Sequence, residues 1–350
     1  MVQDIVKRYE LYGQEGLKNR SRRPKISPQK TPLHIEGMII TERKKTGYGR
    51  DRIARNLTER GIQVNPSTVR YVLKRYKASA KYKRSKYRKK QRFYDFEELY
   101  PLEHFEVDLK EIYDQSTLSE ETIRYAKAIN VPPYQWTAID VKTRIRFLSY
   151  SYEKTFSNGL AFMLTIIYFL RMIGIRHQIT LQTDNGEEFG GKSVDKLAYL
   201  NKQIFGPLNV RLLHIPKGKK ECNAFVERSH QTDDNEFYIP QLELCQDIKE
   251  FFWRAMRWQW VYNIKRKHST INMTPMEKLL CYKKFPKYVA IFPVMNLDNF
   301  RSDLQIFFPK SIQLGDGDLL TNDLRPFLFL VLISHLVFHL TAVSTSTFRN

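Results

Sequence analysis

Three carboxylate residues stand in three separate sequence contexts whose chemistry suits divalent metal. Asp108 lies in HFEVDLKEIYD, Asp184 in TLQTDNGEEFGG and Glu227 in ECNAFVERSHQT. Magnesium takes oxygen ligands, and it commonly takes one or two protein carboxylates while water and substrate phosphate supply the rest. Two such ions roughly 3.5–4 Å apart can activate a water or hydroxyl and stabilise the oxygen that leaves a phosphodiester. We therefore interpret the three acids as the ligands of a phosphoryl-transfer site that acts on nucleic acid.

Each acid also has an ordinary structural explanation when it is taken singly. Asp108 could be a polar residue at a strand end, and Asp184 opens Asp-Asn-Gly, a common turn sequence. Glu227 alone could lie on a solvated helix face. The combination favours the site, because three carboxylates gathered in an apolar fold repel one another unless cations compensate them.

The segment around Glu227 carries candidate contacts to the substrate backbone. Asn223, Glu227 and His230 recur at i, i+4 and i+7, which places them on one face of a helix. We expect Asn223 and His230 to touch DNA; a surface histidine is the alternative for His230. Three lysines flank a flexible glycine in the preceding loop, suited to binding phosphate or to solvent alone: Lys217, Lys219 and Lys220.

The charge of the chain is concentrated in its first quarter. Residues 1–92 hold 27 basic and 7 acidic residues, whereas the remaining 258 residues hold 31 and 30. A basic segment of this density favours nucleic-acid binding, because neutralising phosphates releases condensed counterions. A solubilising or targeting tail is the alternative, but helical patterning interrupts the charge. The run KYKRSKYRKKQR at 81–92 is typical of a linker that follows the phosphate backbone and adds affinity without sequence choice.

Residues 34–76 have the pattern of three short helices. The first is broken by GYG at 47–49, the second ends near Gly61, and Asn65-Pro66 is a good start for the third. The third helix places apolar residues on one face and the following polar residues on the other: Ser67, Thr68, Arg70, Tyr71 and Lys74. This division predicts a helix-turn-helix whose last helix enters the DNA major groove. A helical bundle that does not bind DNA is the alternative.

From residue 103 the pattern changes to strands alternating with helices. HFEVDL is predicted to be a strand that ends near Asp108, and two strands are predicted around a turn at 140–144. The apolar segment 157–173 is too short for a membrane span and is predicted to be a buried helix. Two further strands, HQITLQTD and VRLLHIP, alternate with helices. The order β-β-β-α-β-α-β-α predicts an α/β fold with a mixed sheet flanked by helices.

With these segments in order, the chain resembles insertion-sequence transposases with a retroviral-integrase-type core. The matching segments are HFEVD, DNGEEF, NAFVERSHQT and VYNIKRKHSTINMTPMEKLL at 261–280, preceded by the helix-turn-helix pattern. The resemblance spans about residues 1–283. It implies an RNase H-like fold and a DDE triad of Asp108, Asp184 and Glu227. It also implies magnesium or manganese, two ions in all, and double-stranded DNA as substrate, both transposon ends and target.

The spacing of the triad departs from the usual pattern of the family. Between Asp184 and Glu227 lie 42 residues, more than is common, whereas Glu221 would leave 36. We prefer Glu227, because the residues around it reproduce the motif and nothing comparable surrounds Glu221. The extra length fits best in NKQIFGPLN, between a helix and a strand.

The resemblance and the composition together predict a domain order. We expect a remnant of a first helix-turn-helix with a linker at 1–30, a helix-turn-helix domain at 31–78, a basic linker at 79–98, the catalytic core at 99–245, a helical extension at 246–290, and an atypical tail at 291–350, disordered or frameshifted. The apolar stretch at 326–343 could be an anchor, a buried helix or the product of a shifted reading frame.

Partners and location follow from the same interpretation. Joining two DNA ends requires at least a homo-oligomer in the active complex, and no membrane partner is expected. The cysteines Cys222, Cys245 and Cys281 lack metal-site spacing, which favours a reducing, cytoplasmic location associated with the nucleoid. Two other functions stay open: an inactive remnant that only binds DNA, and another RNase H-like nuclease such as a junction resolvase.

Overall fold

The computed structural model describes residues 2–18, 30–78, 95–282 and 284–299. They fall into two compact units that divide near residue 80, with residues 44–48 counted with the second unit. The basic run at 81–92, within the linker predicted at 79–98, and the apolar stretch at 326–343 lie outside the described residues. Within the described ranges, no helix combines the length and the apolar character that crossing a membrane requires.

The first unit is helical. Its helices are α1 (Val2–Tyr12), α2 (Leu33–Thr46), α3 (Arg50–Glu59) and α4 (Pro66–Arg75), with a 3-10 turn at Gly13–Leu17. The Asn65 side chain caps α4 by accepting from the Ser67 N–H at 2.9 Å. As predicted, α4 buries Val69, Val72 and Leu73. The three-helix pattern from 34 to 76 is thus present, and its role in DNA binding stays a prediction.

Two buried glutamates on α2 hold the later helices of this unit, a feature that the apolar pattern does not predict. Glu36 is ion-paired with Arg75 and accepts from the Tyr76 hydroxyl at 2.9 Å. Burial raises the pKa of Glu36, but the bonds from Tyr76 and Arg75 outweigh it and hold the pKa below its usual value. Glu42 pairs with Arg60 at 3.1 Å. Ion pairs that bridge distant segments therefore supplement the small apolar core.

The second unit is built on a five-stranded mixed sheet. Its strands are β1 (His104–Glu111), β2 (Tyr134–Asp140), β3 (Arg146–Ser151), β4 (Ile179–Thr183) and β5 (Val210–His214). The strand order is β3-β2-β1-β4-β5; β2 is antiparallel to β1 and β3, whereas β1, β4 and β5 are parallel. This topology confirms the expected mixed α/β sheet and is consistent with the RNase H-like fold.

Helices cover both faces of the sheet. They are α5 (Glu120–Ala128), α6 (Phe156–Met172), α7 (Val194–Leu200), α8 (Ala224–Asp233), α9 (Ile239–Gln241), α10 (Ile248–Trp260) and α11 (Pro275–Leu280). Phe105 and Val107 of β1 pack in one core cluster with α6. Val226 of α8 and Phe251 of α10 belong to a second cluster that contains Leu148. The sheet therefore separates two apolar cores.

Three details differ from the sequence prediction. Helix α5 was not predicted between the first two strands, although Ser119 caps it by accepting from the Thr122 N–H at 3.0 Å. Strand β1 does not end at Asp108 but continues to Glu111, which is paired with Tyr134 of β2.

The third difference concerns the start of the tail. Residues 291–299 were expected to be atypical or disordered, but Asn296 forms a parallel bridge with Tyr150 of β3. Asp298 accepts from the Asn158 amide at 2.8 Å and from the Tyr152 N–H. Edge strand β3 thus offers backbone groups that this segment pairs with, and the expectation for the tail at 291–350 as a whole stays a prediction. Residues 300–350 lie outside the described residues.

A buried charge fixes the end of α8 to the sheet and to α10. The fully buried Asp233 accepts from Trp258 Nε1 at 2.7 Å and from Gln135 Nε2 at 2.8 Å. It also pairs with Arg146, whose guanidinium lies 3.7 Å from the centre of the Tyr262 ring. A buried ion pair of this kind is costly to break, since the remaining charge loses its compensation.

We predict that Asp233→Asn destabilises the protein by about 3–5 kcal/mol, because it leaves the Arg146 guanidinium buried without a counter-ion. Chemical denaturation measures the loss. The control is Asp51→Asn, which removes an exposed acid 3.5 Å from Arg50 and should leave the unfolding midpoint unchanged. Equal midpoints for Asp233→Asn and the unchanged protein would contradict the assigned role.

Candidate active site

The sheet register brings the first two predicted acids together. Asp108 lies in the middle of β1, and Asp184 follows the last residue of β4. The two strands are parallel and pair Glu106 with Gln182. Beyond the last pair of this ladder, the charge of Asp184 still acts on Asp108 and raises its pKa. The Asp184 carboxylate also accepts from the Gly186 N–H at 2.9 Å, which fixes the turn after the strand.

The third acid, Glu227, comes from the first turn of α8. Its charge reaches Asp108: burial, followed by the charges of Asp184, Glu227 and Glu188, raises the pKa of Asp108 to about 7. The Leu109 N–H opposes this rise without cancelling it. The three acids predicted from sequence are therefore close enough for the charges of Asp184 and Glu227 to raise the pKa of Asp108.

The alternative third acid, Glu221, lies in the 3-10 turn Lys220–Asn223. Its charge contributes to raising the pKa of Cys222, after the larger effect of burial. The residue preferred on motif grounds, Glu227, is the one whose charge raises the pKa of Asp108.

A fourth carboxylate in the site was missed in the sequence. Glu188 lies in a 3-10 turn, Glu187–Phe189, and is 5 % exposed; its Oε1 lies 3.0 Å from Lys154 Nζ. The turn reaches its place because α6 has Gly159 opposite it: a Cβ there would lie 2.0 Å from the Glu188 carbonyl oxygen. The two consecutive glutamates in DNGEEF could have indicated a further acid in the site. Only the folded chain shows that Glu188 is the buried one.

The oxygen atoms of these acids are the ligand type that a hard divalent cation prefers, but the described side chains are not arranged around a single point. Carboxylate oxygens from three separate elements suit magnesium or manganese, and burial together with the neighbouring acids raises the pKa of Asp108. Across the described ranges, however, no three His, Cys, Asp or Glu side chains already meet at one point as metal ligands. A cation binding here would have to draw the carboxylates closer together.

The two residues of this helix segment expected to touch DNA lie in the interior. His230 Nδ1 is 3.8 Å from Asp108 Oδ2, and the buried His230 Nε2 has no hydrogen-bond partner among the residues that the structure describes. Burial, with the charges of Lys110 and Arg146, lowers the pKa of His230 well below its usual value, which keeps the ring neutral. Asn223 is 3 % exposed, and its Oδ1 accepts from the amide of a β4 glutamine. Their contact with DNA stays a prediction.

The other predicted DNA contacts are placed as follows. Lys217 and Lys219 are exposed in the loop after β5, and nothing is described of the Lys220 side chain. On α4, Ser67, Arg70, Tyr71 and Lys74 are exposed, whereas Thr68 is half-buried. The α4 residues belong to the first unit and the acids to the second.

Comparison with known proteins adds a distant structural likeness. No protein-family model matches the chain, and no curated protein matches it. Among solved structures, the chain is similar to the HTLV-2 integrase catalytic core domain in complex with magnesium (trimeric form). The two are 13% identical, the match covers 51% of this chain and 97% of that chain, and the TM-score is 0.35. A likeness this distant carries no argument about function, which rests on the residues of the site.

The raised pKa of Asp108, caused first by burial and then by the neighbouring acids, predicts an unusual dependence of stability on pH. The pKa of folded Asp108 is about 7, so the folded, metal-free protein keeps a proton that the unfolded chain releases near pH 4. Stability contributed by this group therefore falls as the pH rises from about 4 to about 7, and the loss is complete above that range. We expect Asp108→Asn to raise the unfolding midpoint in the presence of a chelator, more at pH 8 than at pH 5.

The control has the opposite sign. Hydrogen bonds from Ser116 hold the pKa of Asp114 below its usual value, so Asp114→Asn should lower the midpoint at pH 8. Thermal unfolding of the three proteins at both pH values measures the difference. A gain for Asp108→Asn that is the same at pH 5 and pH 8 would show that the ionisation of Asp108 is not the cause.

Proposed function

We propose that this protein is a metal-dependent polynucleotidyl transferase of the DDE transposase and integrase type. It would cut DNA at the ends of a mobile element and join those ends to target DNA. The observation that carries the proposal is that Asp184 and Glu227 lie near enough to Asp108 for their charges to raise its pKa. The three acids come from two parallel strands and a helix, and their charges act on one another. Such a cluster of carboxylates is costly to assemble without a cation to bind.

The acids and a neighbouring cation would have separate roles in the proposed reaction. Asp108, Asp184 and Glu227 would hold magnesium or manganese, with two ions in the complete site. A bound divalent ion supplies positive charge that polarises phosphoryl oxygens and lowers the pKa of an attacking water or hydroxyl. Lys154, paired with Glu188 at 3.0 Å and 47% exposed, offers a cation at the edge of the site for a DNA phosphate.

Two in-line displacements fit this site. Water attacks the phosphodiester at the element end and leaves a 3′ hydroxyl, and that hydroxyl then attacks a phosphodiester of the target. Each step forms one P–O bond and breaks one, so a covalent enzyme intermediate is not required. The contribution of the protein is to position the DNA and to stabilise the charge that develops.

DNA capture is assigned to the basic first unit. The exposed face of α4 carries Arg70, Tyr71 and Lys74 above a buried apolar face, which suits a recognition helix in the major groove. The excess of basic residues in 1–92 would add affinity that does not depend on sequence. The joining of two ends would require at least a dimer in the reacting complex.

Cleavage of an element-end duplex tests the proposal directly. With magnesium present, the purified protein should nick the duplex at the element end and leave a scrambled duplex intact. Asp184→Asn and Glu227→Gln should each lower the rate about a thousandfold or more, because a metal ligand supplies several kcal/mol of charge stabilisation. Glu221→Gln is the matched control and should keep the rate of the unchanged protein.

The other functions predict other outcomes in the same assay. Specific binding without any nicking would indicate an inactive DNA-binding remnant. Nicking without preference for element ends would indicate a different RNase H-like nuclease. Loss of cleavage in Glu221→Gln but not in Glu227→Gln would identify Glu221, and not Glu227, as the third metal ligand.

Binding measurements test the assignment of α4. Arg70→Ala and Lys74→Ala should each weaken binding to the element end by about 1–3 kcal/mol if they touch bases, and should reduce the salt dependence if they touch phosphates. The control is Arg124→Ala, which removes an exposed charge on α5 and should leave binding unchanged. Equal affinities for the unchanged protein and the three variants would show that α4 is not part of the DNA interface.

A further inference from the structure

We infer that Glu106 and Lys110, which flank Asp108 on one face of β1, position helix α8 so that Glu227 lies opposite Asp108. The inference rests on the proposed function of those acids and adds two positioning residues to it. Alternate residues of a strand share a face, so Glu106, Asp108 and Lys110 point toward the same neighbour. Each of them interacts with α8.

Glu106 holds the first turn of α8. Its side chain is 1% exposed, and Oε2 accepts from the Phe225 N–H at 2.7 Å and from the Val226 N–H at 3.0 Å. The first N–H groups of a helix have no partner within the helix. Asn223, at the N-cap position, makes no capping hydrogen bond with its side chain. A carboxylate from the sheet therefore does what a local capping residue usually does.

The strand next to β1 strengthens this end. Gln182 of β4 is the register partner of Glu106. Its amide nitrogen donates to the Cys222 carbonyl at 3.1 Å and to Asn223 Oδ1 at 3.0 Å. Two adjacent polar side chains thus fix the chain on both sides of the point where the helix begins.

Lys110 holds the other end of α8. Its Nζ lies 2.8 Å from Oδ1 of Asp234, the residue after the helix, and the two side chains are 10% and 14% exposed. The chain continues there into a π-helical turn, Asp234–Tyr238, so the ion pair fixes the point where α8 passes into that turn. On β2, Gln135 is the register partner of Lys110 and donates to Asp233 at 2.8 Å. The second end is therefore also held by two adjacent strands.

The dimensions of strand and helix agree. Glu106 and Lys110 are four strand residues apart, about 13 Å. Val226 and Asp234 are eight helical residues apart, about 12 Å. The helix therefore lies along β1 with Asp108 near the middle, where His230 Nδ1 is 3.8 Å from Asp108 Oδ2. A shift of α8 by one residue would turn its side chains by about 100°, carry Glu227 away from Asp108 and break contacts at both ends.

Calorimetric titration of the full chain with Mn²⁺ tests the inference without relying on catalysis. Glu106→Leu removes the acceptor and should weaken Mn²⁺ binding about 10- to 100-fold, the size of effect known for residues that orient metal ligands. Glu106→Gln keeps an acceptor oxygen and should restore most of the affinity. Lys110→Met should weaken binding about tenfold.

The matched control removes a helix cap far from the acids. Asp247 caps α10 by accepting from the Glu250 N–H at 2.7 Å. Asp247→Ala should lower the unfolding midpoint, as Glu106→Leu does, but leave Mn²⁺ affinity unchanged. The same loss of affinity in both would overturn the positioning role, since general destabilisation would then explain it.

The outcomes separate this inference from the proposed function. No Mn²⁺ binding by the unchanged protein would refute the metal site itself. Normal binding by the unchanged protein and by Glu106→Leu would refute only the positioning role. If Glu106→Leu does not fold, Lys110→Met decides: folded protein with unchanged affinity overturns the inference.

Discussion

The constraint on which the proposed site depends is the burial of carboxylates close to one another where β1, β4 and α8 meet. Burial and, after it, the charges of the neighbouring acids raise the pKa of Asp108 to about 7, a shift of about three units that costs the metal-free fold on the order of 4 kcal/mol near neutral pH. Favourable contacts elsewhere must exceed that cost. A site that is unfavourable alone and favourable with cations is well suited to bind them.

Contacts made by α8 help to offset the cost of burying Asp108 beside other acids. Asp233 accepts from Arg146, Trp258 and Gln135 in the interior, and Glu106 binds the first N–H groups of the helix from the sheet. These bonds connect α8 to three strands and to α10, so the helix can carry an acid toward other acids without moving away. The same polar groups that stabilise the fold therefore determine the geometry of the proposed site.

Sequence alone predicts the parts of this structure that depend on local pattern. The hairpin around 140–144, the apolar helix α6 and the buried face of α4 all follow from periodicity and turn residues. Helix α5 was not predicted, although Ser119 caps it, because its segment is short and lies between two strands. The inward turn of Glu188 and the burial of Glu36 were not predictable, since each depends on a partner that only the folded chain brings near.

The measurement that tests the central claim most directly is anomalous diffraction from crystals of the protein grown with Mn²⁺. The account predicts manganese bound by the carboxylates of Asp108, Asp184 and Glu227, with Asp108→Asn abolishing the signal. Manganese that binds only elsewhere, or three carboxylates that stay apart at saturating metal, would contradict it.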